Sequence, residues 1–243
     1  MWGDAADHVA LAVARVLPVA VCSPLVGGRA VPLAIRIAVG VLLAMAVAAV
    51  SPTTTAGGPF VLLLAKEFLV GITLAMGVLL FFEALAGAGA LVDAAAGRMS
   101  SGVHATIDSP HESPMGTFAR LFGLAFFFSL GGGRMVVRTL ADAGAVLSVG
   151  AVDPTGIIAA GAAYFQTVLL LAAPVWIALL LADLTFAAAA RALPPINGFF
   201  LGLSFKPLLA VLLCGLVLLG AIESRLADLG PTLRGLASGG GSP

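Results

Sequence analysis

Charge is what this chain has least of. Its 243 residues carry 12 Lys and Arg against 12 Asp and Glu, so charged side chains make up 10% of it and the net charge is zero. An ordinary soluble domain carries roughly 25%. A folded chain of this size needs more polar surface than that to face water on every side. The even balance also argues against nucleic acid, which selects basic patches and stripes. Cysteine is almost as scarce. Cys22 and Cys214 lie inside apolar runs at opposite ends of the chain, which excludes a disulfide scaffold and makes both read as small buried hydrophobes. A basic region ahead of the first apolar stretch is missing too, its place taken by Asp4 and Asp7. A cleaved signal peptide is therefore not expected.

Catalytic signatures are absent as well. The sequence holds no G-x-x-x-x-G-K-[ST], no H-E-x-x-H, no paired Cys and no G-x-S-x-G, which removes the P-loop, zinc-hydrolase and serine-hydrolase readings. An intramembrane protease needs a positioned nucleophile and base, and Ser100-Ser101 has only His104 nearby on the same polar stretch. That stretch also holds one metal-like set, His104, Asp108, His111 and Glu112. With its Pro and Ser it reads equally well as a solvated loop. No enzyme activity, metal or cofactor is expected.

What is present is apolar. Hydrophobic residues make up 60% of the chain before its 30 Gly are counted, whereas an average domain reaches roughly 45–50% with Gly included. Apolar segments run at about 9–28, 31–50, 60–92, 115–130, 157–190 and 196–222. The breaks between them are rich in Gly and Pro: Val26-Gly27-Gly28-Arg29, 51–59, 97–114, Gly131-Gly132-Gly133-Arg134, Asp153-Pro154 and Leu193-Pro194-Pro195. Such clusters end helices. The segments lack period-2 alternation, which favours helices over a β-barrel. The expected fold is an all-α membrane protein of about six hydrophobic helices arranged as hairpins. It forms a single domain over 1–243, with a flexible tail at 236–243.

The few charges fall in telling places. Val16–Gly28, Phe68–Phe82 and Leu121–Gly133 are each shorter than the roughly 20 apolar residues that a lipid-spanning helix wants. Arg15, Arg36, Lys66, Glu67, Glu83, Arg120 and Asp183 lie inside or at the shoulders of apolar segments. Each would cost roughly 2.5–3.5 kcal/mol at the centre of a lipid-exposed helix. Arg15 and Arg120 have stems long enough to snorkel to a membrane surface. Glu67, Glu83 and Asp183 do not, and are expected to be buried against polar partners. Lys66 and Glu67 are neighbours, about 100° apart on a helix, and cannot face one another. Their partners have to come from other helices, water or other subunits, so the chain is expected to be surrounded by protein over much of its surface. The G-x-x-x-G pair Gly198/Gly202, together with Gly71, suits close helix packing. Orientation stays open. Alternate breaks place Arg29, Arg98, Arg191 and Lys206 on one side against Arg134, Arg138, Arg225 and Arg234 on the other, with no positive-inside bias.

Three stretches together resemble the FliR/SctT family, the export-gate component of bacterial type III secretion and flagellar export. The first runs from Ala65-Lys66-Glu67-Phe68-Leu69-Val70-Gly71-Ile72 through Phe82-Glu83-Ala84-Leu85-Ala86-Gly87 to Leu91-Val92-Asp93. The second leads from Gly97 through Asp108-Ser109-Pro110-His111-Glu112-Ser113-Pro114-Met115-Gly116 to the Gly131-Gly132-Gly133 turn. The third and most specific is Leu171-Ala172-Ala173-Pro174, Leu181-Ala182-Asp183, Arg191-Ala192-Leu193-Pro194-Pro195-Ile196-Asn197-Gly198-Phe199-Phe200-Leu201-Gly202 and Lys206. The chain departs from the family at Pro195, where a Gln is usual, and at Gly132-Gly133-Arg134, where flagellar members often carry Gly-His. That turn and Glu112-Ser113-Pro114 look more like the injectisome branch.

The resemblance implies a non-enzymatic inner-membrane gate subunit for unfolded secreted proteins, seated among protein neighbours. Its implied partners are two other small hydrophobic gate subunits (FliP/SctR-like and FliQ/SctS-like), an SctU-like switch protein, the large export-gate protein and membrane lipid, with no nucleic acid. Residues 97–114 correspond to a loop that plugs the closed pore, with Met99, Val103, Ile107, Asp108 and Pro110 as plug candidates. Apolar side chains at such a constriction can seal it by dewetting. Lys66, Glu67, Glu83, Asp183, Arg191, Asn197 and Lys206 are candidates for assembly and gate-wall contacts. A reading from another class stands beside this one: a proton-coupled secondary transporter that uses Glu67, Glu83 and Asp183 as a relay.

Overall fold

A computed structural model describes residues 2–50, 59–97, 113–146, 154–192 and 198–238. Among them stand seven α-helices: α1 (Trp2–Cys22), α2 (Leu33–Val50), α3 (Phe60–Ala95), α4 (Pro114–Ser129), α5 (Gly132–Val146), α6 (Pro154–Ala192) and α7 (Gly198–Ser238). Two 3-10 turns, Pro24–Val26 and Gly28–Ala30, connect α1 to α2. The described residues contain no strand. Three helical stretches are long and apolar enough to cross a membrane: Leu33–Val50, Phe60–Ala95 and Gly161–Arg191. A fourth span results if α4 and α5 are counted as one broken crossing. The chain is an all-α membrane protein.

Six of the seven helices lie on the apolar segments, and α5 is the one that hydropathy alone passes over. Arg134, Arg138 and Asp142 recur every fourth residue and are exposed, while Val136, Leu140 and Ala143 between them are buried. That is the pattern of an amphipathic helix. Its apolar stripe is too thin to register as a hydrophobic run. Gly131, at φ +81°, takes the left-handed backbone that ends α4 and lets α5 begin.

The residues group into two compact units. The first comprises Met1–Phe82, Phe127–Ala163 and Leu226–Pro243, the second Glu83–Phe126 and Tyr164–Arg225. In the first, α1 and α2 form a hairpin that packs closely where Gly40 faces Leu17 and Ala20, since a Cβ at Gly40 would lie 2.9 Å from that of Ala20. The hairpin is fastened at both ends by a side chain that donates to an otherwise unpartnered helix-terminal carbonyl. His8 Nε2 lies 2.9 Å from the Ala48 carbonyl near the end of α2, and Arg36 donates over 2.8 Å to the Val21 carbonyl at the end of α1. The last four carbonyls of a helix have no partner within it, and a cation placed there also meets the negative end of the helix dipole. The unit's core is aliphatic around Val16, Val47, Val78 and Leu140, with Phe82 and Phe127 edge to face at 5.4 Å.

In the second unit Leu85 and Val92 of α3, Ala119 of α4, Leu179 of α6, and Ala210 and Leu218 of α7 are all buried. Phe118, Phe122 and Phe126 stack along one face of α4 with centroids 5.7 and 5.3 Å apart, as the four-residue spacing dictates. Elsewhere large apolar side chains point outward: Leu33, Leu42 and Met45 on α2, and Leu169, Trp176, Ile177 and Leu184 on α6. Water does not tolerate so much exposed hydrocarbon. Lipid or other helices therefore cover these faces.

Candidate functional site

The charges of the apolar helices are where chemistry is to be sought, and helix packing decides which of them meet. At Gly71 the α1 backbone comes so near that a Cβ would lie 2.9 Å from the Arg15 carbonyl carbon. Small residues permit such approach. One turn back along the same face of α3 stands Glu67, and Arg15 Nε donates to its Oε2 over 2.6 Å. The other arm of the guanidinium donates over 2.8 Å to the Leu140 carbonyl on α5. Arg15 and Glu67 are 6% and 7% exposed. Arg15 thus does not snorkel: it ties α1, α3 and α5 together in the interior, where a charge persists only if it is paired and hydrogen-bonded.

A second contact of the same design lies further along α3. A Cβ at Gly89 would stand 2.6 Å from the Met115 carbonyl carbon, and one at Gly116 would stand 2.8 Å from the Ala86 carbonyl oxygen. One turn beyond Gly89, the buried Asp93 carboxylate accepts the Met115 N–H over 2.8 Å. Glu83, on the same helix, meets Arg120 of α4 at 3.3 Å. The third carboxylate, Asp183 of α6, pairs with Lys206 of α7. Glu67, Glu83 and Asp183 therefore all have cationic partners on other helices of the same chain, and none needs another subunit to neutralise it.

The remaining candidates divide by position. Lys66 is half-buried and has no carboxylate partner among the described residues. Arg191 is exposed in the last turn of α6, where a cation suits the helix dipole. Gly198 and Gly202 lie in the first turns of α7. Met99, Val103, Ile107, Asp108, Pro110 and Asn197 lie outside the described residues, as do His104, His111 and Glu112. Among the described residues no His, Cys, Asp and Glu cluster has metal-site geometry. Asp93, Ser113 and Met115 entered the sequence reading only within the stretches that carry the resemblance, with no role of their own. The available signal was an acidic residue four places from a glycine on the same helix, found three times on α3, at Glu67/Gly71, Glu83/Gly87 and Gly89/Asp93.

Residues 7–228 match bacterial export proteins, family 1. The chain belongs to this family. Among curated proteins, the flagellar biosynthetic protein FliR of Pectobacterium carotovorum subsp. carotovorum is 26% identical over 216 residues, which covers 84% of this chain and 81% of that protein. The match to export family 1 takes in both compact units, along with the Arg15–Glu67 pair, the Asp93 contact and the Asp183–Lys206 pair.

Proposed function

We propose that this chain is a subunit of a bacterial type III export gate in the inner membrane, through which unfolded proteins are secreted. The observation that carries the reading is family membership over residues 7–228. The outward apolar faces of α2 and α6 support it, because they fit a subunit covered by lipid and by neighbouring helices. The partners on this reading are the two other small hydrophobic gate subunits, the switch protein and the large gate protein. Residues 97–114 act as the plug of the closed pore. Of the two export branches, Gly132-Gly133-Arg134 and Glu112-Ser113-Pro114 favour the injectisome, while the curated relative named above is flagellar.

The transporter reading loses its main support. A relay needs carboxylates that exchange protons along a path, and here Glu67, Glu83 and Asp183 are each engaged by a cation of the chain itself.

Deleting the gene in its native host and scoring both injectisome effectors and flagellar filaments tests function and branch together. Loss of effector secretion with filaments intact is the expected result. Loss of filaments alone assigns the other branch, and loss of neither rejects the export role. Removing residues 99–109 should raise leakage of a small dye through the assembled gate in liposomes. Unchanged leakage rejects the plug.

A further inference from the structure

A hollow of about 310 Å³ opens in the second unit, a volume at the small end of the roughly 300–1,000 Å³ of ligand sites. Ala95, the last residue of α3, borders it together with Trp176, Ile177, Leu179, Leu180 and Asp183 of α6. Among these described lining residues Asp183 alone is charged.

The height of the hollow in the membrane follows from its neighbours. α3 ends at Ala95, and the last carbonyls of a helix have no partner within it. Hydrocarbon leaves such groups unsatisfied, so this end of α3 belongs among headgroups. The apolar stretch of α6 agrees. Gly161–Arg191 has 31 residues and so runs about 46 Å at the rise of an α-helix. That exceeds the roughly 30 Å of the hydrocarbon core, and its ends must emerge. Trp176 is 53% exposed, and tryptophan concentrates at the membrane interface.

Two features select the occupant. A close-packed helix needs small residues to approach, and here Ala95 is the one small side chain in the described lining. The bulky Trp176, Ile177, Leu179 and Leu180 leave an irregular pit instead, which a flexible hydrocarbon chain can fill. At its charged edge, Lys206 of α7 pairs with Asp183, yet the carboxylate side chain stays 49% open. The end of α3 adds the negative pole of its dipole. A second cation with N–H donors therefore suits Asp183, while Lys206 suits an anion.

We propose that this hollow binds a phospholipid with an ethanolamine headgroup. One acyl chain occupies the pit, the headgroup ammonium donates to Asp183, and the phosphate accepts from Lys206. A choline headgroup carries no N–H and cannot make the bond to Asp183. The site goes beyond the export reading and does not depend on it.

Trp176 is itself the reporter. The chain has two tryptophans, so Trp2→Phe leaves Trp176 alone in the full chain. This parent is placed in nanodiscs of choline phospholipid that contain a minor fraction of lipid with brominated tails, carrying either headgroup. The ethanolamine form should quench Trp176 at about threefold lower mole fraction, as one extra charge-assisted bond at a half-open site would give. Asp183→Asn should bring the two headgroups to equal potency. Ala95→Leu, which narrows the pit, should weaken quenching by both. Equal potency in the parent overturns the proposal, and this comparison decides even if a variant fails to fold. A preference that survives Asp183→Asn removes Asp183 from the site. In cells, a photoreactive benzophenone side chain at Ile177 should yield an adduct of phospholipid mass. An adduct of protein mass assigns the hollow to a neighbouring helix, and either that result or no adduct overturns the lipid site.

Discussion

Three ion pairs join helices, one in the first compact unit and two in the second, and the two units differ sharply in how those pairs are surrounded. Arg15 and Glu67 in the first unit have side chains only 7% and 9% exposed, and the guanidinium makes a further bond to the Leu140 carbonyl. Lys206 and Asp183 in the second leave the carboxylate 49% open. Arg120 and Glu83, in the same unit, are about as open, at 24% and 43%. A sealed pair is an all-or-nothing device: desolvating two charges costs so much that each requires the other. An open pair gains little, because solvent or a neighbouring polar group can replace either partner. The first unit is thus held by an ion pair that cannot be left half-made, the second by apolar packing and the buried Asp93 contact, to which its ion pairs are additions.

The largest expected effect comes from breaking the sealed pair on one side only. Glu67→Ala leaves the Arg15 guanidinium buried without its counter-ion, and should cost about 3–5 kcal/mol, measured as loss of thermal stability of the detergent-solubilised complex. Replacing both members together, as Arg15→Met with Glu67→Met, should recover most of that loss, because no stranded charge remains. If the double replacement is as damaging as the single one, the pair is not a self-contained unit and the contrast with Asp183 collapses. Next in size is Gly71→Ala. The added methyl meets the Arg15 backbone, which cannot swing aside as a side chain would, so α1 must move off α3 at about 1–3 kcal/mol. The same substitution at Gly161, which has nothing within 4 Å of its new Cβ, should be neutral or slightly stabilising in the same melt, since Ala favours helix over Gly.

Much of the fold was legible. Long runs of Ala, Leu and Val punctuated by Gly and Pro located six helices, because a chain so poor in charge can bury its backbone only by coiling it. The bounds of α2, α3, α4 and α6 were close, whereas α1 begins at Trp2 and α7 continues to Ser238, well beyond their apolar runs. Helix α5 was missed because Arg134, Arg138 and Asp142 lower its hydropathy while leaving its periodicity intact. The charges were legible as anomalies, not as pairs. Nothing local connects Arg15 to Glu67 across 52 positions, or Asp183 on α6 to Lys206 on α7. Those unions are set by where Gly71 and its neighbours let backbones touch, which is a property of packing. Of the sources expected from the sequence, other helices, water or other subunits, it is the other helices of the same chain that supply the partners of Glu67, Glu83 and Asp183. What the exposed faces of α2 and α6 still require from outside is apolar cover.

A smaller effect is expected at Glu83→Gln, about 1 kcal/mol or less, given the 3.3 Å separation from Arg120 and the partial exposure of both groups. Asp183→Asn should be the mildest in the isolated chain, within about 0.5 kcal/mol, because half of the carboxylate is open and the amide still accepts a bond from Lys206. Its value lies in where it is measured. Asp183 borders a cavity of about 310 Å³ whose other lining residues, among those described, are the apolar Ala95, Trp176, Ile177, Leu179 and Leu180. If a neighbouring subunit covers that hollow in the complex, the Asp183–Lys206 pair becomes desolvated on assembly and takes on the character of Arg15–Glu67. Asp183→Asn should then weaken retention of the partner subunits during purification while leaving the melt of the isolated chain unchanged. If lipid covers it instead, the carboxylate can stay near polar headgroups, and partner retention should equal wild type. The same substitution thus reads out whether the second unit's open pair is open by design or only until its neighbour arrives.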